Sequence, residues 1–570
     1  MSGRTLRRAP RLAKCAFAAF AFVIAACLAA PLLAAERAPG HAAIASAHPL
    51  ATAAGHEILA KGGNAFDAAV AVTAALAVVE PTGSGLTGGG FYLLHRASDA
   101  RDVMIDAREK APLAATRDMF LGPDGNPVPG MSLNTALGAG IAGEAAAIEH
   151  LVKEYGRLPL AVSLAPAIRL AREGFPLYTR LRANIERKRE VFAKQPEVAR
   201  VWLRKGEAPA PGTVIRQPQL AHTLETLAKR GMRDFYEGET ARKLVAGVRK
   251  LGGIWTAEDL AAYRVVERAP IVGEYRGARI VSSSPPASGG IVLVEALNVL
   301  AGYDLAHLDA VTRTHLIIES MQRAHRDRAV WLGDPDFVTM PVAELIHPYY
   351  AAGLRASIRL DRAMPSADLP GVKPASQGDN TTHFSILDAE GNRAAVTITL
   401  NFYFGSGLSV PGTGLFLNDE MDDFSSKAGV PNGFNLVGNA ANAIAPGKRM
   451  LSSSTPTFIE TPRGLMIAGT PGGSYITGMV LLATLDFLDG RNAAQIVAAP
   501  RIHHQYLPDV LQYEPGALTA ADTAALAKLG YQLRESKRRW GNLQVVTWDY
   551  ASGRVEAASD PRGEGEGQVY

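Results

Sequence analysis

The residues best placed to do covalent chemistry are two threonines. Thr381 to Leu387 and Ala394 to Leu400 each alternate small polar with apolar side chains, the period of a half-buried strand. Between them, Asp388-Ala389-Glu390-Gly391-Asn392 is a turn sequence of hairpin length. A hairpin centred on Glu390 sets Thr381 opposite Thr399, and directly opposed residues share a face of the sheet. Alternation adds Thr397 and Asn401 to that face, whereas a one-residue slip would undo the arrangement. A threonine hydroxyl is a poor nucleophile because its proton is held too tightly at neutral pH. Cleavage of the Asn380–Thr381 bond would change this, since the freed α-amine, with a reference pKa of about 8, can take that proton. The β-branch restricts χ1 and helps aim the oxygen. Pattern alone nevertheless favours ordinary strand threonines at both positions.

The surrounding elements suggest how such a pair would be positioned. Arg362 to Asn380 is rich in Pro, Ser, Ala, Gly and Asp without periodicity and reads as an exposed flexible connector. Upstream, helical patterns cover Ala51 to Ala60, Ala65 to Val79, Glu144 to Tyr155, Ser163 to Glu173, Thr240 to Leu251, Ile291 to Leu300 and Thr312 to Trp331. Ala65 to Val79 is apolar nearly all round and too short to span a bilayer easily, which predicts a buried core helix. Short strands are expected at Phe91 to His95, after a glycine run, and at Arg279 to Ser282. Downstream the chain turns strand-rich. Gly472 and Gly473 follow the strand Leu465 to Ala468 and precede a helix starting near Ser474. Amides at such a junction lack intrahelical partners and suit developing negative charge, although a plain turn would also use two glycines.

Composition fits a mixed α/β protein: 570 residues, 47% hydrophobic and only 20% charged, enough for a substantial core. Residues 1–35 stand apart. Arg4, Arg7, Arg8, Arg11 and Lys14 precede an apolar run from Cys15 to Leu33, and Ala34-Ala35 offers small residues before Glu36. This predicts a secretory signal cleaved near Ala35, hence a periplasmic or secreted protein. Anchoring through Cys27 or through an uncleaved segment is the alternative. The segment holds five cations and no acid, so its removal takes the formal net charge from +4 to −1. The basic balance therefore does not imply a nucleic-acid partner. Both cysteines, Cys15 and Cys27, leave with it, so no disulfide or thiol nucleophile is expected in the mature chain. Gly83-Ser-Gly85-Leu-Thr-Gly88 follows a helix and precedes a strand, the reverse of a dinucleotide turn. Gly138-Ala-Gly140-Ile-Ala-Gly143 lacks a preceding buried strand and a following ribose-binding acid, so no nucleotide is expected. His503 and His504 are adjacent and would face opposite ways on a strand, which argues against a shared metal. No cofactor or metal is implied, and no serine-hydrolase elbow is found.

Several ordered motifs carry a family resemblance. Asn380-Thr-Thr-His-Phe-Ser-Ile-Leu-Asp388, Thr397-Ile-Thr-Leu-Asn401, Asn418-Asp-Glu-Met-Asp-Asp-Phe424, Leu451-Ser-Ser453 and Gly469-Thr-Pro-Gly-Gly-Ser474 resemble γ-glutamyltranspeptidase, as do Asp106-Ala-Arg-Glu109 and Ser559-Asp-Pro-Arg562. The likeness runs from about Ala43 to the C-terminus. It implies an α/β N-terminal-nucleophile hydrolase fold, a four-layer αββα sandwich formed jointly by two subunits. These would be a large one, 36–380, and a small catalytic one, 381–570, released by autocleavage at Asn380–Thr381 and remaining associated. The implied substrates are glutathione and other γ-glutamyl compounds, with water, an amino acid or a peptide as acceptor.

That resemblance also assigns roles. Thr381 is the nucleophile, Thr399 tunes it, and the amides of Gly472 and Gly473 form the oxyanion site. A γ-glutamyl group carries a carboxylate and an ammonium on one carbon. Arg108 would take the carboxylate bidentately, with Ser452 and Ser453 as neutral donors. Asn401, Glu420 and Asp423 would accept from the ammonium. Arg562 is a further candidate. Gly429 to Gly447 resembles a loop covering the site, with Phe434 where many relatives have tyrosine, so that a lid hydrogen bond toward Asn401 is missing. The alternatives are a cephalosporin acylase, a poly-γ-glutamate depolymerase or a non-enzymatic secreted scaffold.

Overall fold

The two alternating segments form the strands Thr382–Leu387 and Arg393–Thr399. Asp388 locks the turn between them: its Oδ1 accepts from the amides of Glu390 and Asn392 (3.0 and 2.9 Å), and its Oδ2 accepts from Asn392 Nδ2 (2.8 Å). The ladder runs from Leu387 opposite Arg393 to Thr382 opposite Ile398. This is the register expected for a turn centred on Glu390, and one step further brings Thr381 level with Thr399. The computed structural model describes residues 38–369 and 381–570, except 428, 431, 434, 435, 437 and 439. The expected signal segment, both cysteines, Asn380 and Phe434 therefore lie outside the described residues.

The hairpin is the centre of a seven-stranded sheet. The order is Glu566–Val569, Ala43–Ser46, Thr382–Leu387, Arg393–Thr399, Gly89–Arg96, Arg101–Ala107 and Val266–Arg268. A six-stranded sheet follows the order Val555–Ser559, Gln544–Asp549, Gly464–Gly469, Thr457–Thr461, Ala278–Ser282 and Ile271–Tyr275. The sheets lie face to face, with Phe91, Leu93, Met104 and Ala395 of the first buried against Val281, Phe458, Ile467 and Val546 of the second. Helices Ala65–Val79, Glu144–Glu154 and Leu160–Glu173 bury the outer face of the first sheet. Gly289–Leu300, Ala310–Trp331 and Ile476–Leu488 bury that of the second. The layers are the αββα arrangement that the sequence implied.

Ala65–Val79 is buried along its whole length, as its composition required, and a capping box between Asn64 and Asp67 starts it. The connector reading needs correction. Residues 362–369 are tied to the body: Ala363 N donates to Leu529 O (2.7 Å), the Ser366 hydroxyl donates to Tyr506 O (2.6 Å), and Gln322 Nε2 donates to Met364 O (2.9 Å). The segment is held mainly through its backbone and the Ser366 hydroxyl, which needs no repeating apolar face. Residues 370–380 lie outside the described chain.

Candidate active site

Thr381 sits immediately before the strand Thr382–Leu387, half-buried, at the mouth of a small cavity of ≈ 300 Å³. By alternation Thr381, His383 and Ser385 face the other sheet. His383 Nδ1 lies 2.8 Å from Thr397 Oγ1, and its ring lies against Gly469, the last residue of Gly464–Gly469. The turn following Gly469 is thereby carried to the level of Thr381, and this is how Gly473 reaches the cavity. Gly472 has φ +140° and Gly473 φ +55°, conformations that L side chains rarely adopt. Among the described residues neither of these amides donates to the protein. A short 3₁₀ turn, Gly473–Tyr475, and then the helix Ile476–Leu488 follow, close to the expected junction.

Thr399, Asn401, Glu420, Asp423, Ser452 and Ser453 all line the same cavity, together with Arg108. Thr399 Oγ1 accepts from Asn401 N (2.7 Å), which leaves its hydroxyl proton to donate elsewhere. Asn401 adopts φ +77°, and its Nδ2 donates to Asp419 O (2.8 Å). Among the described residues its buried Oδ1 has no partner, and neither has Glu420 Oε2. Two bare acceptors on a cavity wall suit an incoming N–H donor.

Arg108 is not free in this state. Its two terminal nitrogens bond Glu420 Oε1 and Asp423 Oδ2, and Nε donates to Met450 O (3.2 Å). Burial lowers its pKa, and the surrounding carboxylates more than offset that, so it remains protonated. Burial pushes Glu420 up to about 8 against the pull of Arg108, and Asp423 is raised for the same reason. Arg108 and the two carboxyl groups form a closed, hydrogen-bonded cluster in the cavity. A zwitterion can open it by giving its carboxylate to the arginine and its ammonium to the acids.

Sequence reasoning missed a second buried arginine. Arg328 projects from the helix Ala310–Trp331 into the cavity, where its Nε donates to Ser288 Oγ (2.9 Å) and its Nη2 to Ser453 Oγ (3.1 Å). Burial lowers its pKa to about 10, which still leaves it charged at neutral pH. Leu436 and Ile476 complete the lining. The glycine run was also underrated. A Cβ at Gly88 would lie 2.0 Å from Thr399 O, and one at Gly83 would lie 3.1 Å from Thr381 O, so this segment presses directly on the backbone of both threonines.

Arg562 does not reach the cavity. Its guanidinium is held by Glu514 (2.5 and 3.0 Å) and Asp560 (3.0 Å), and it also donates to Val497 O and Ala499 O. Its position in the motif reflects a buried ion-pair network instead. In the loop Gly429 to Gly447, Asn432 Nδ2 donates to Asp423 Oδ1 (3.3 Å) and Gly433 N to Asp422 Oδ2 (2.8 Å), which places those two residues beside the acids.

A threonine opening a central strand between two helix-covered, face-to-face sheets defines the N-terminal-nucleophile hydrolase fold. The family model described as Gamma-glutamyltranspeptidase matches residues 51–570, and the chain belongs to that family. It is 40% identical over 525 residues to the glutathione hydrolase proenzyme of Escherichia coli (strain K12), covering 91% of this chain and 90% of the relative. Among solved structures, cephalosporin acylase from Bacillus halodurans superposes with a TM-score of 0.81 at 29% identity, covering 93% of this chain and 96% of that one. Gamma-glutamyltranspeptidase from Helicobacter pylori gives a TM-score of 0.56 at 41% identity, covering 57% of this chain and 94% of the solved chain. The chain is thus an enzyme of the γ-glutamyltransferase and glutathione hydrolase class.

Proposed function

We propose that this protein is exported, cuts itself between Asn380 and Thr381, and then transfers γ-glutamyl groups through Thr381 from glutathione and related amides to water or to an amine acceptor. In self-cleavage the Thr381 hydroxyl oxygen attacks the Asn380 carbonyl carbon, and the C–N bond breaks as an ester forms. Water hydrolyses that ester, leaving a carboxylate on Asn380 and an amine on Thr381. In turnover that amine takes the hydroxyl proton while the oxygen attacks the γ-carbonyl carbon. The amides of Gly472 and Gly473 stabilise the oxyanion, and the α-ammonium returns the proton to the leaving nitrogen. A water or amine then attacks the γ-glutamyl ester by the same route in reverse.

The observation that carries this reading is the convergence on one cavity of Thr381, Thr399, Gly473 and a charge set of both signs: Arg108 and Arg328 with Glu420 and Asp423. An α-amino acid head answers both signs, with Arg108, Ser452 and Ser453 on its carboxylate and Asn401, Glu420 and Asp423 on its ammonium. A glutaryl group has no ammonium and would leave the two acids unanswered, so the acylase reading is the weaker one. The test is N-terminal sequencing of the smaller fragment together with p-nitroaniline release from its γ-glutamyl derivative. A fragment beginning at Thr381, and an uncut, inactive Thr381→Ala, are expected. A Thr381→Ala protein that matures and turns over like the parent overturns the proposal.

A further inference from the structure

The cavity beside Thr381 is small, so whatever is attached beyond the scissile bond must lie outside it. A much larger cleft of ≈ 1550 Å³ adjoins the cavity at two backbone junctions. Asn401 and Gly473 line the cavity, and their chain neighbours Phe402 and Gly472 line the cleft. The cleft's walls are strongly cationic. Arg180 and Arg187 come from the helix Thr179–Arg187, and Arg538 and Arg539 from the loop before Trp540. Arg187, Arg538 and Arg539 are exposed and Arg180 half-buried. No Asp or Glu lines the cleft, and among the described residues none of these four side chains has an ion pair. Arg562, which also borders it, is neutralised by Glu514 and Asp560.

Two further features fit an anionic occupant. The Arg187 guanidinium is stacked over the Tyr403 ring at 5.1 Å, which holds it at the wall while its N–H edge remains available. Trp540 is only 8% exposed, and among the described residues its buried indole N–H has no partner, an unsatisfied donor in the cleft lining. Unpaired like charges around one concavity repel one another and raise the local potential, and a multivalent anion relieves both effects.

We propose that this cleft binds an acidic peptide, a run of carboxylates attached to the nitrogen that leaves Thr381 or attacks its ester. The assignment of a ligand arm to the leaving side rests on Thr381 being the acylated residue; the anion-binding surface itself does not. In turnover the amide C–N bond breaks, the γ-carbonyl carbon bonds to Thr381 Oγ1, and the acidic peptide departs along the cleft as an amine carrying the proton from that hydroxyl.

The experiment has two arms on the full, processed protein. Fluorescein-labelled α-linked hexaglutamate is titrated at low and high salt against the parent, Arg538→Ser/Arg539→Ser, Arg180→Ser/Arg187→Ser and, as a control, the exposed Arg117→Ser. Binding should weaken about tenfold in each cleft double variant and fall with salt, while the control tracks the parent. In the second arm, kcat/KM for a γ-glutamyl donor with a triglutamate leaving group is divided by that for γ-glutamyl-p-nitroanilide. That ratio should drop by a similar factor in the double variants only. Peptide binding that is absent, or indifferent to all four arginines, overturns the cleft. Binding through the arginines with an unchanged donor ratio overturns the leaving-group assignment. Binding through the arginines in a protein that turns over no γ-glutamyl donor refutes the proposed function instead, and leaves the cleft as an acidic-peptide site.

Discussion

Gly88→Ala is a sharp test of how the nucleophile is positioned. The added Cβ would lie 2.0 Å from Thr399 O, 3.1 Å from Thr399 C and 3.1 Å from Gly85 O. A tolerable carbon–oxygen approach is at least about 3 Å, so the backbone at Thr399 must move by roughly 1 Å. No flexible side chain can absorb that shift, because the nearest atoms are main-chain. Thr399 is opposite Thr381 in the hairpin register and accepts the Asn401 amide at 2.7 Å, so the shift passes to both. A misplacement of roughly 1 Å at a reacting group can cost on the order of 100-fold in rate. We expect Gly88→Ala to slow appearance of the smaller fragment on gels and to reduce kcat/KM of the processed fraction by about two orders of magnitude. Gly353→Ala is the matched control: nothing lies within 4 Å of its Cβ, and it sits in the helix Pro348–Ala356, where alanine is the better residue. Processing and kcat/KM of Gly88→Ala within a fewfold of the parent, with an unchanged melting temperature, would refute the reasoning.

Three other outcomes are expected. Arg328→Gln removes a charge-assisted bond to Ser453 Oγ, worth roughly 1.5–3 kcal/mol, and should reduce kcat/KM for γ-glutamyl-p-nitroanilide by about 10- to 100-fold, chiefly through KM; an unchanged KM counts against its place in the site. His48, His325 and His383 have pKa values lowered by burial to about 4, 4 and 3. The stability linked to them is complete above their unfolded value near 6.5 and is lost as pH falls toward those folded values. At pH 5 each has cost on the order of 2 kcal/mol of the stability present at high pH, so melting temperatures should decline from pH 7 to pH 5 and less steeply in His383→Asn; a flat profile refutes this. Arg562→Met removes the ion-pair partner of buried Glu514 and leaves Asp560 with Arg501 alone, so it should cost about 3 kcal/mol of stability with an unaltered donor KM, and a raised KM at parental stability would restore Arg562 to the site.

Much of the site was legible because its residues recur at strand spacing around a turn with its own chemistry. Asp388 and Asn392 fix the hairpin locally, so the opposition of Thr381 and Thr399 could be read without tertiary information. Arg328 could not be read that way. It ends the run His325-Arg326-Asp327-Arg328, which by composition alone resembles a solvated helix face. Its burial arises only when the segments holding Ser288 and Ser453 pack over it. The glycines at 83 and 88 were recognised as a motif, but what they accommodate is backbone some three hundred residues away. Arg562 failed in the opposite sense. A conspicuous arginine in a matching motif is consumed by Glu514 and Asp560, and the sequence contains no sign of that pairing.

The strand order has a consequence for a cut between Asn380 and Thr381. Thr382–Leu387 hydrogen-bonds to Ala43–Ser46 on one side, and Arg393–Thr399 to Gly89–Arg96 on the other. The two polypeptides produced by the cut would be interleaved like the fingers of clasped hands, each completing the other's sheet. Dilution would not readily part them, and either piece made alone would hold only part of each sheet, with open strand edges where its partner's strands belong. A cut made after folding would therefore leave two products held together by the hydrogen bonds of shared sheets.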